Sequence, residues 1–239
     1  MIDAQNVVLA SNSSLNTTTL VGSPPSQTSG TPLGLDGAGG GYGGRGAFCV
    51  KGDGKDQEDL WGGDVYSWSS LSAPWSYGSQ GGTTSRDKDL GGGGGGRILV
   101  ATAWLNLDGA LLADGGYAGV DGRGGSGGSI LIKAFVLNGI GEISASGGMG
   151  WAGGGGGRVS IESKEQQGVP IFVHGGESLG CPDNAGAAGT QFDALSKSLV
   201  INNSNKSTVM NTIFMEFPTY PLWENVYVEN YAKVAIPLL

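Results

Sequence analysis

Apolar and polar side chains alternate in three segments of the chain that recur at nearly constant spacing. The segments start at Arg97, Ser129 and Arg158, and each places aliphatic side chains two residues apart, as at Ile98 and Val100. A two-residue period is typical of a strand that buries one face. The pattern therefore predicts a strand at the start of each segment.

A second alternating stretch follows each of these strands and ends in a pair of glycines. The stretches occupy residues 109–116, 141–148 and 171–176. Their inward-facing residues are expected to be Leu111, Ala113, Ile143, Ala145, Ile171 and Val173. The first two copies are offset by 32 residues and the third follows 28 to 29 residues later. Periods of this length are typical of repeat proteins.

A single unit of this kind buries too little apolar surface to fold alone. In the middle copy, Ile130, Ile132 and Ile143 contribute roughly 5 to 9 kcal/mol on burial. Ordering about 30 residues opposes folding by on the order of 1 to 2 kcal/mol for each backbone position. Units that stack in parallel share the hydrogen-bond ladders between their strands and a common hydrophobic interior. We therefore predict an all-β fold: a parallel β-helix-like solenoid with glycine-rich loops and one long aromatic insertion.

The same pattern divides the chain into regions. We expect residues 1–30 to form a polar N-terminal segment that is partly disordered, and residues 31–239 to form the solenoid. Within it, residues 48–90 are the insertion, 91–176 the repeat units and 177–239 the C-terminal strands. The strands of this last region are predicted at residues 199–201, 213–217 and 226–228.

Glycine accounts for 48 of the 239 residues, far above average usage. Its longest runs, 91–96 and 153–157, come just before two of the predicted strands. One interpretation is that extended polyglycine segments pack so closely that a Cβ atom would clash. The other is that the runs are flexible linkers. Phosphate binding is disfavoured because no Gly-Lys-Ser or Gly-Lys-Thr motif follows them.

Charge and hydropathy exclude several classes of function. The formal net charge is −8 and the 13 basic residues are dispersed, so nucleic acid and anionic lipid are not expected partners. An acidic polysaccharide is repelled unless a divalent cation bridges the two sets of carboxylates. No apolar run reaches the roughly 20 residues of a membrane span.

The aromatic insertion holds the candidate binding residues. Flat rings beside hydroxyl groups suit stacking on sugar faces, and Asp64 and Ser69 are able to bond ring hydroxyls. The candidate glycan-binding residues are Trp61, Tyr66, Trp68, Trp75 and Tyr77. The alternative is that these rings pack as a cover over the repeat units.

Candidate catalytic residues are few. His174 is the only histidine and aligns in the repeat with Asp114 and Ser146, at an outward position near a strand end, so we do not expect a Ser-His-Asp site. Paired loop carboxylates are the basis of an alternative function, a polysaccharide lyase or hydrolase. These carboxylates are Asp53, Asp56, Glu58, Asp59, Asp87 and Asp89. The same loops are able to bind Ca²⁺, but they are also of the kind that is simply solvated, and we expect no cofactor.

Two cysteines and four sequons bear on the compartment. Cys49 and Cys181 either form a disulfide or remain free buried thiols; residues far apart along a solenoid are normally far apart in space, which favours the second alternative. The candidate N-glycosylation sites are Asn12, Asn16, Asn202 and Asn205. Four sequons around the repeat region are consistent with secretion.

Several strings resemble a known group of proteins. They are Tyr-Ser-Trp-Ser-Ser-Leu at 66–71, Pro-Trp-Ser-Tyr-Gly-Ser at 74–79, residues 174–190 with the specific string Cys-Pro-Asp-Asn-Ala-Gly, and Pro-Leu-Trp-Glu-Asn-Val-Tyr-Val at 221–228. From about residue 35 to the end, the chain resembles large uncharacterised glycine-rich plant cell-surface proteins with a secreted β-helical ectodomain and a membrane-anchored C-terminal part. The resemblance carries no established catalytic residues.

The resemblance and the sequons together lead to a functional expectation. We expect a non-catalytic extracellular segment that is structural or binds glycans, with cell-wall polysaccharide or another cell-surface protein as its partner. Because the sequence begins without a signal peptide and ends inside an apolar stretch, we interpret it as a fragment whose membrane anchor lies in other parts of the protein.

Overall fold

The computed structural model describes residues 1–20, 22–30, 38–49, 62–66, 69–82, 91–119, 122–214 and 223–236. These residues form β-strands and one short 3-10 helix at Ser26–Thr28, so the predicted all-β class is confirmed. The strands are β1 (Ile2–Leu9), β2 (Ser14–Asn16), β3 (Arg97–Leu107), β4 (Ala110–Leu112), β5 (Ser129–Asn138), β6 (Glu142–Ser144), β7 (Arg158–Gln166), β8 (Ile171–Phe172), β9 (Thr190–Asp193), β10 (Ser198–Asn202), β11 (Thr212–Ile213), β12 (Asn225–Glu229) and β13 (Val234–Ala235).

From β1 to β9, consecutive strands alternate between two sheets. The larger sheet has the order β1-β3-β5-β7-β9-β10-β12, and the smaller has the order β2-β4-β6-β8. All pairs in the smaller sheet are parallel, as are those from β1 to β9 in the larger one. From β1 to β8, each passage of the chain therefore adds one parallel strand to each sheet. A further pair, β11 and β13, is also parallel.

The strand register matches the repeat in the sequence. Ile98 pairs with Ile130, which pairs with Val159, and these three residues lie in one buried cluster. In the smaller sheet, Leu111 pairs with Ile143 in the same way. In-register pairing places equivalent aliphatic side chains in columns that cross the strands. These columns form the core between the two sheets.

The strands at the start of each repeat are longer than predicted, and β3 contains a change of phase. In β3 the buried residues are Ile98 and Val100 at first, but Leu105 and Leu107 near the end. The pairing of β3 with β5 passes from Thr102 directly to Trp104. Residue 103 therefore lies between two alternating stretches, and the change of phase at this residue lets both stretches face the core.

The two ends of the chain differ from the expectation. The segment predicted to be polar and partly disordered, residues 1–30, contributes β1 and β2, which add one strand to each sheet. At the other end, β10 runs antiparallel to β9. The reversal occurs at a tight turn in which the Asp193 carboxylate accepts hydrogen bonds from the N–H groups of Leu195 and Ser196, and Lys197 has a φ of 46°.

The glycine-rich segments pack against one another beside the sheets and are joined by backbone hydrogen bonds. We call this set of segments the glycine bundle. Its segments are 38–47, 62–64, 78–82, 91–96, 113–116, 122–128, 145–148, 152–157, 173–176 and 185–189. Within 122–128 the direction of the N–H groups recurs every three residues. Gly124 and Gly127 donate to segment 152–157, Gly125 and Gly128 to segment 113–116, and Ser126 to segment 78–82. Three residues per turn is the periodicity of the polyproline II helix.

Close approach, and not turning, explains why these positions are glycine. Among the described glycines only Gly139, outside the bundle, has a φ in the left-handed region. A Cβ atom on Gly154 would lie 2.0 Å from the carbonyl oxygen of Gly125. Because the backbones of neighbouring segments touch, side chains are excluded there. The structure therefore supports the packed interpretation of both glycine runs over the linker interpretation.

Candidate functional site

The described part of the aromatic insertion crosses the outer face of the larger sheet. We call residues 69–79 the cross-strand segment. The Ser129 hydroxyl, at the start of β5, donates to the carbonyl oxygen of Ser76 at 2.7 Å and accepts from its N–H at 3.1 Å. One strand further, the Ser160 hydroxyl donates to the carbonyl oxygen of Ser72 at 2.6 Å. The segment is therefore fixed by side chains that point away from the core.

A buried arginine anchors the same segment. Arg158 starts β7, and its side chain is 1% exposed. Its guanidinium donates to the carbonyl oxygens of Ser69 and Tyr66, and its carbon lies 5.3 Å from the centre of the Tyr42 ring. Carbonyl oxygens and an aromatic face compensate a cation for lost water. This part of the insertion therefore packs as a cover over the repeat units, which is the alternative that the sequence left open beside glycan binding.

Tyr66 belongs to this packed part. Its side chain is 2% exposed, and its ring contacts Tyr42 edge to face with centres 4.8 Å apart. The Tyr66 hydroxyl is 2.8 Å from the Ser79 hydroxyl, and burial raises the pKa of Tyr66. A ring in this position has no free face for a sugar. Tyr66 is therefore not a glycan-binding residue, contrary to the expectation from the sequence.

Trp75 and Tyr77, by contrast, meet at the surface. Between them lies the Arg97 guanidinium, whose carbon is 4.5 Å from the centre of the Trp75 ring and 3.9 Å from that of the Tyr77 ring. Arg97 Nη2 also donates to the Tyr77 hydroxyl at 2.8 Å. Such cation–π contacts contribute about 0.5 to 1 kcal/mol each at exposed sites. The Trp75 side chain nevertheless remains 41% exposed.

These three residues form one wall of an open cavity of about 680 Å³, which we call the Trp75 cleft. The cleft is also lined by Met1, Thr17, Thr19, Leu20 and Gly96. Two hydroxyl-bearing residues, an exposed indole and a guanidinium are therefore placed around one space. The described lining residues include no Asp or Glu. The cleft thus offers an apolar ring for stacking and hydrogen-bond donors at its edge.

The structure brings together only part of the predicted glycan-binding set. Trp61 and Trp68 lie outside the described residues, Tyr66 is interior, and Trp75 and Tyr77 share the cleft. Arg97, Thr17 and Thr19 were not predicted as site residues from the sequence. For Arg97 a signal existed: a residue next to the inward-facing Ile98 must lie on the outer face, beside whatever covers it.

Cys49 and Cys181 are joined by a disulfide, with Cα atoms 5.6 Å apart. The sequence favoured free thiols because distant residues of a solenoid are separated in space. The glycine bundle removes that difficulty, since segment 38–47 runs back beside segment 152–157, where the Ala47 N–H donates to Gly153. Nearby, the Asn184 side-chain amide donates to the carbonyl oxygen of Phe48 at 3.0 Å.

The four sequons occupy different environments. Asn12, Asn16 and Asn205 are exposed, and Asn12 and Asn205 have φ values of 64° and 60° in turns. Asn202 is half-buried, and its side-chain amide donates to the Glu229 carboxylate at 3.2 Å. Whether these asparagines carry glycans remains a prediction.

His174 is half-buried, and burial lowers its pKa. The aligned Asp114 carboxylate accepts hydrogen bonds from the Ser144 hydroxyl at 2.5 Å and from the N–H of Ser146 at 2.6 Å. An imidazole nitrogen of His174 lies 2.9 Å from the carbonyl oxygen of Gly175. The Asp114 carboxylate therefore bonds serine groups directly, which is not the order of a Ser-His-Asp triad.

The loop carboxylates proposed for a lyase or hydrolase and for Ca²⁺ binding cannot be compared with the groups above. Asp53, Asp56, Glu58, Asp59, Asp87 and Asp89 lie outside the described residues. Within the described ranges, no three His, Cys, Asp or Glu side chains cluster in a way that would hold a metal ion. Catalysis and Ca²⁺ binding by these loops therefore remain predictions.

In the part of the chain that the structure covers, no helix has the length and apolarity needed to cross a membrane. No protein-family model, curated protein or solved structure matches this chain.

Proposed function

We propose that this chain is a non-catalytic extracellular segment of a plant cell-surface glycine-rich protein, in which a parallel β-solenoid carries a glycan-binding cleft. The solenoid part of this proposal is supported by the alternation of parallel strands between two sheets from β1 to β8. In-register aliphatic columns and a shared core between successive passages are what such a fold requires.

The extracellular part is supported by the disulfide. Disulfides form and persist in oxidising compartments and are rare in the cytosol. The Cys49–Cys181 bridge closes a separation of 132 residues and ties the glycine bundle to the loop after β8. Three exposed sequon asparagines, at Asn12, Asn16 and Asn205, agree with the same compartment.

The observation that carries the glycan-binding part is the exposed Trp75 ring at the edge of an open cleft. The Arg97 guanidinium contacts its indole, which reduces the side-chain freedom that is lost when a ligand stacks on the ring. Thr17 and Thr19 also line the cleft. An apolar ring with a few convergent polar groups is the usual composition of a small-ligand site.

A glycan array followed by titration tests this function. The chain is expected to retain oligosaccharides, and Trp75→Ala is expected to weaken their binding by about tenfold, since stacking and buried ring area contribute on the order of 1 to 2 kcal/mol. Trp104→Ala is the matched control, because Trp104 is a tryptophan on β3 with a similar exposure of 53% and lies outside the cleft.

Two outcomes would count against the glycan-binding part. One is an array on which no oligosaccharide is retained. The other is an equal loss of binding in Trp75→Ala and Trp104→Ala, with both variants melting like the parent chain. In either case the structural role would stand without the cleft.

A further inference from the structure

We propose that the sugar bound in the Trp75 cleft carries a carboxylate, so that the ligand is an oligosaccharide containing uronic acid. This inference rests on the proposed glycan-binding function and specifies its ligand class. It follows from the charge and the hydrogen-bonding state of Arg97 in the cleft.

Arg97 has donor capacity left for a ligand. Its Nη2 atom donates to the Tyr77 hydroxyl at 2.8 Å, which is a normal hydrogen bond. Its Nη1 atom is 3.4 Å from the carbonyl oxygen of Trp75, beyond the usual range for such bonds. The guanidinium edge at Nη1 is therefore only weakly engaged. A planar guanidinium pairs with a carboxylate better than with a single hydroxyl group.

The cleft differs in charge from the chain as a whole. Among its described lining residues, Arg97 is the charged side chain, and none is acidic. The formal net charge of the chain is −8, which by itself repels acidic sugars. At physiological ionic strength, however, charges act over a Debye length of only about 8 Å. The local cation therefore decides which ligands the cleft accepts.

The rings on either side of Arg97 strengthen this preference. Trp75 and Tyr77 both contact the guanidinium, which restricts its motion and removes part of its hydration. A fixed, partly desolvated cation loses less freedom on pairing with a carboxylate than a mobile surface lysine does. The sugar ring attached to that carboxylate then lies next to the exposed indole.

The test compares two trisaccharides by calorimetric titration. One is linear trigalacturonate and the other is its carboxyl-reduced counterpart, which has the same length and linkage. With a chelator present and at physiological ionic strength, the acidic trisaccharide is expected to bind about tenfold more tightly, as for a hydrogen bond to a charged group. The difference is expected to shrink as salt is raised above the physiological concentration.

Variants assign the difference to Arg97. Arg97→Gln is expected to remove the preference for the acidic trisaccharide, whereas Arg97→Lys retains part of it. Because Arg97 also supports Trp75 and Tyr77, a second pair of variants leaves it intact. Thr19 is exposed with a φ of 60°, a conformation that Asp and Asn both accept. Thr19→Asp adds a carboxylate to the cleft, and it is expected to bind trigalacturonate several-fold more weakly than the isosteric Thr19→Asn.

The outcomes separate this inference from the function on which it rests. Equal binding of the two trisaccharides overturns the carboxylate assignment but leaves glycan binding in place. Binding of neither overturns both. A preference for the acidic sugar that persists in Arg97→Gln, or one that requires added Ca²⁺, also overturns the assignment, because the carboxylate is then bound by another group. A preference lost in Arg97→Gln and weakened in Thr19→Asp supports it.

Discussion

The packing of the glycine bundle makes a sharp prediction for Gly154→Ala. Gly154 lies in the centre of the bundle, where its N–H donates to Gly148 at 2.9 Å and its carbonyl oxygen accepts from Gly176 at 2.8 Å. An added Cβ atom would be 2.0 Å from the carbonyl oxygen of Gly125 and 2.4 Å from its carbon. The backbone of one segment therefore has to move by about 1 Å to relieve the overlap.

The expected loss of stability follows from two contributions. Overpacking of a tight interior destabilises by about 1 to 3 kcal/mol. Displacing Gly154 also breaks or weakens a buried backbone hydrogen bond, which adds about 1 to 3 kcal/mol. A chain of this size loses roughly 2 to 4 °C in Tm for each kcal/mol. Gly154→Ala is therefore expected to lower the Tm by at least about 4 °C.

Gly168→Ala is the matched control. Gly168 is exposed, its φ is outside the left-handed region, and a Cβ atom added to it would have no neighbour within 4 Å. Alanine at such a position restricts the unfolded chain and stabilises by about 0.4 to 1 kcal/mol. Both substitutions change the unfolded chain alike, so the difference between their melting temperatures isolates the steric effect. Equal Tm values for the two variants would refute the close packing of the bundle.

Two further predictions concern the disulfide and the single histidine. Replacing Cys49 and Cys181 together by serine is expected to destabilise the chain by about 2 to 5 kcal/mol, because the bridge spans 132 residues. The melting curve of this variant should be insensitive to reductant. A reductant-dependent shift in the Tm of the variant would contradict this expectation. Burial lowers the pKa of His174 below 6.5, so as the pH falls from about 6.5 towards that lowered pKa the unfolded chain takes up the proton first and stability decreases. Denaturation midpoints of His174→Gln should lack this decrease, and an unchanged pH profile would show that His174 is not its source.

The repeat was accessible from the sequence because its signal is local and recurs. Ile98, Ile130 and Val159 each begin an alternating stretch, and their spacing equals the register in which β3, β5 and β7 pair. In β1 the same signal is weak. Ile2 of β1 pairs with Val100 of β3, but mostly polar residues follow Ile2 in the sequence. The strand is therefore recognisable only when its partner is known. A strand at the edge of a sheet needs fewer apolar residues, which is why the pattern failed there.

The cleft was less accessible because it depends on contacts between distant segments. Trp75 was identified from its residue type, but nothing in its neighbourhood separates it from the buried Tyr66, nine residues earlier. The two differ because Tyr66 lies near the start of β7, beside the buried Arg158, whereas Trp75 lies near the start of β3, beside Arg97. Which ring is covered is decided by the path of the segment across the sheet, and no local pattern encodes that path.

The strands and the glycine bundle depend on each other. Glycine segments bury no side chains, and each net backbone hydrogen bond contributes only about 0.5 to 1.5 kcal/mol. Since glycine loses more conformational freedom on ordering than any other residue, such segments are not stable alone. Here most segments are short connections whose ends are fixed by strands, as 122–128 leads directly into β5 and 152–157 into β7. Once the aliphatic columns hold those ends, the remaining entropy loss is small enough for hydrogen bonds to neighbouring segments to offset it. The hydrophobic core therefore orders the bundle, and the bundle positions the cross-strand segment that carries Trp75.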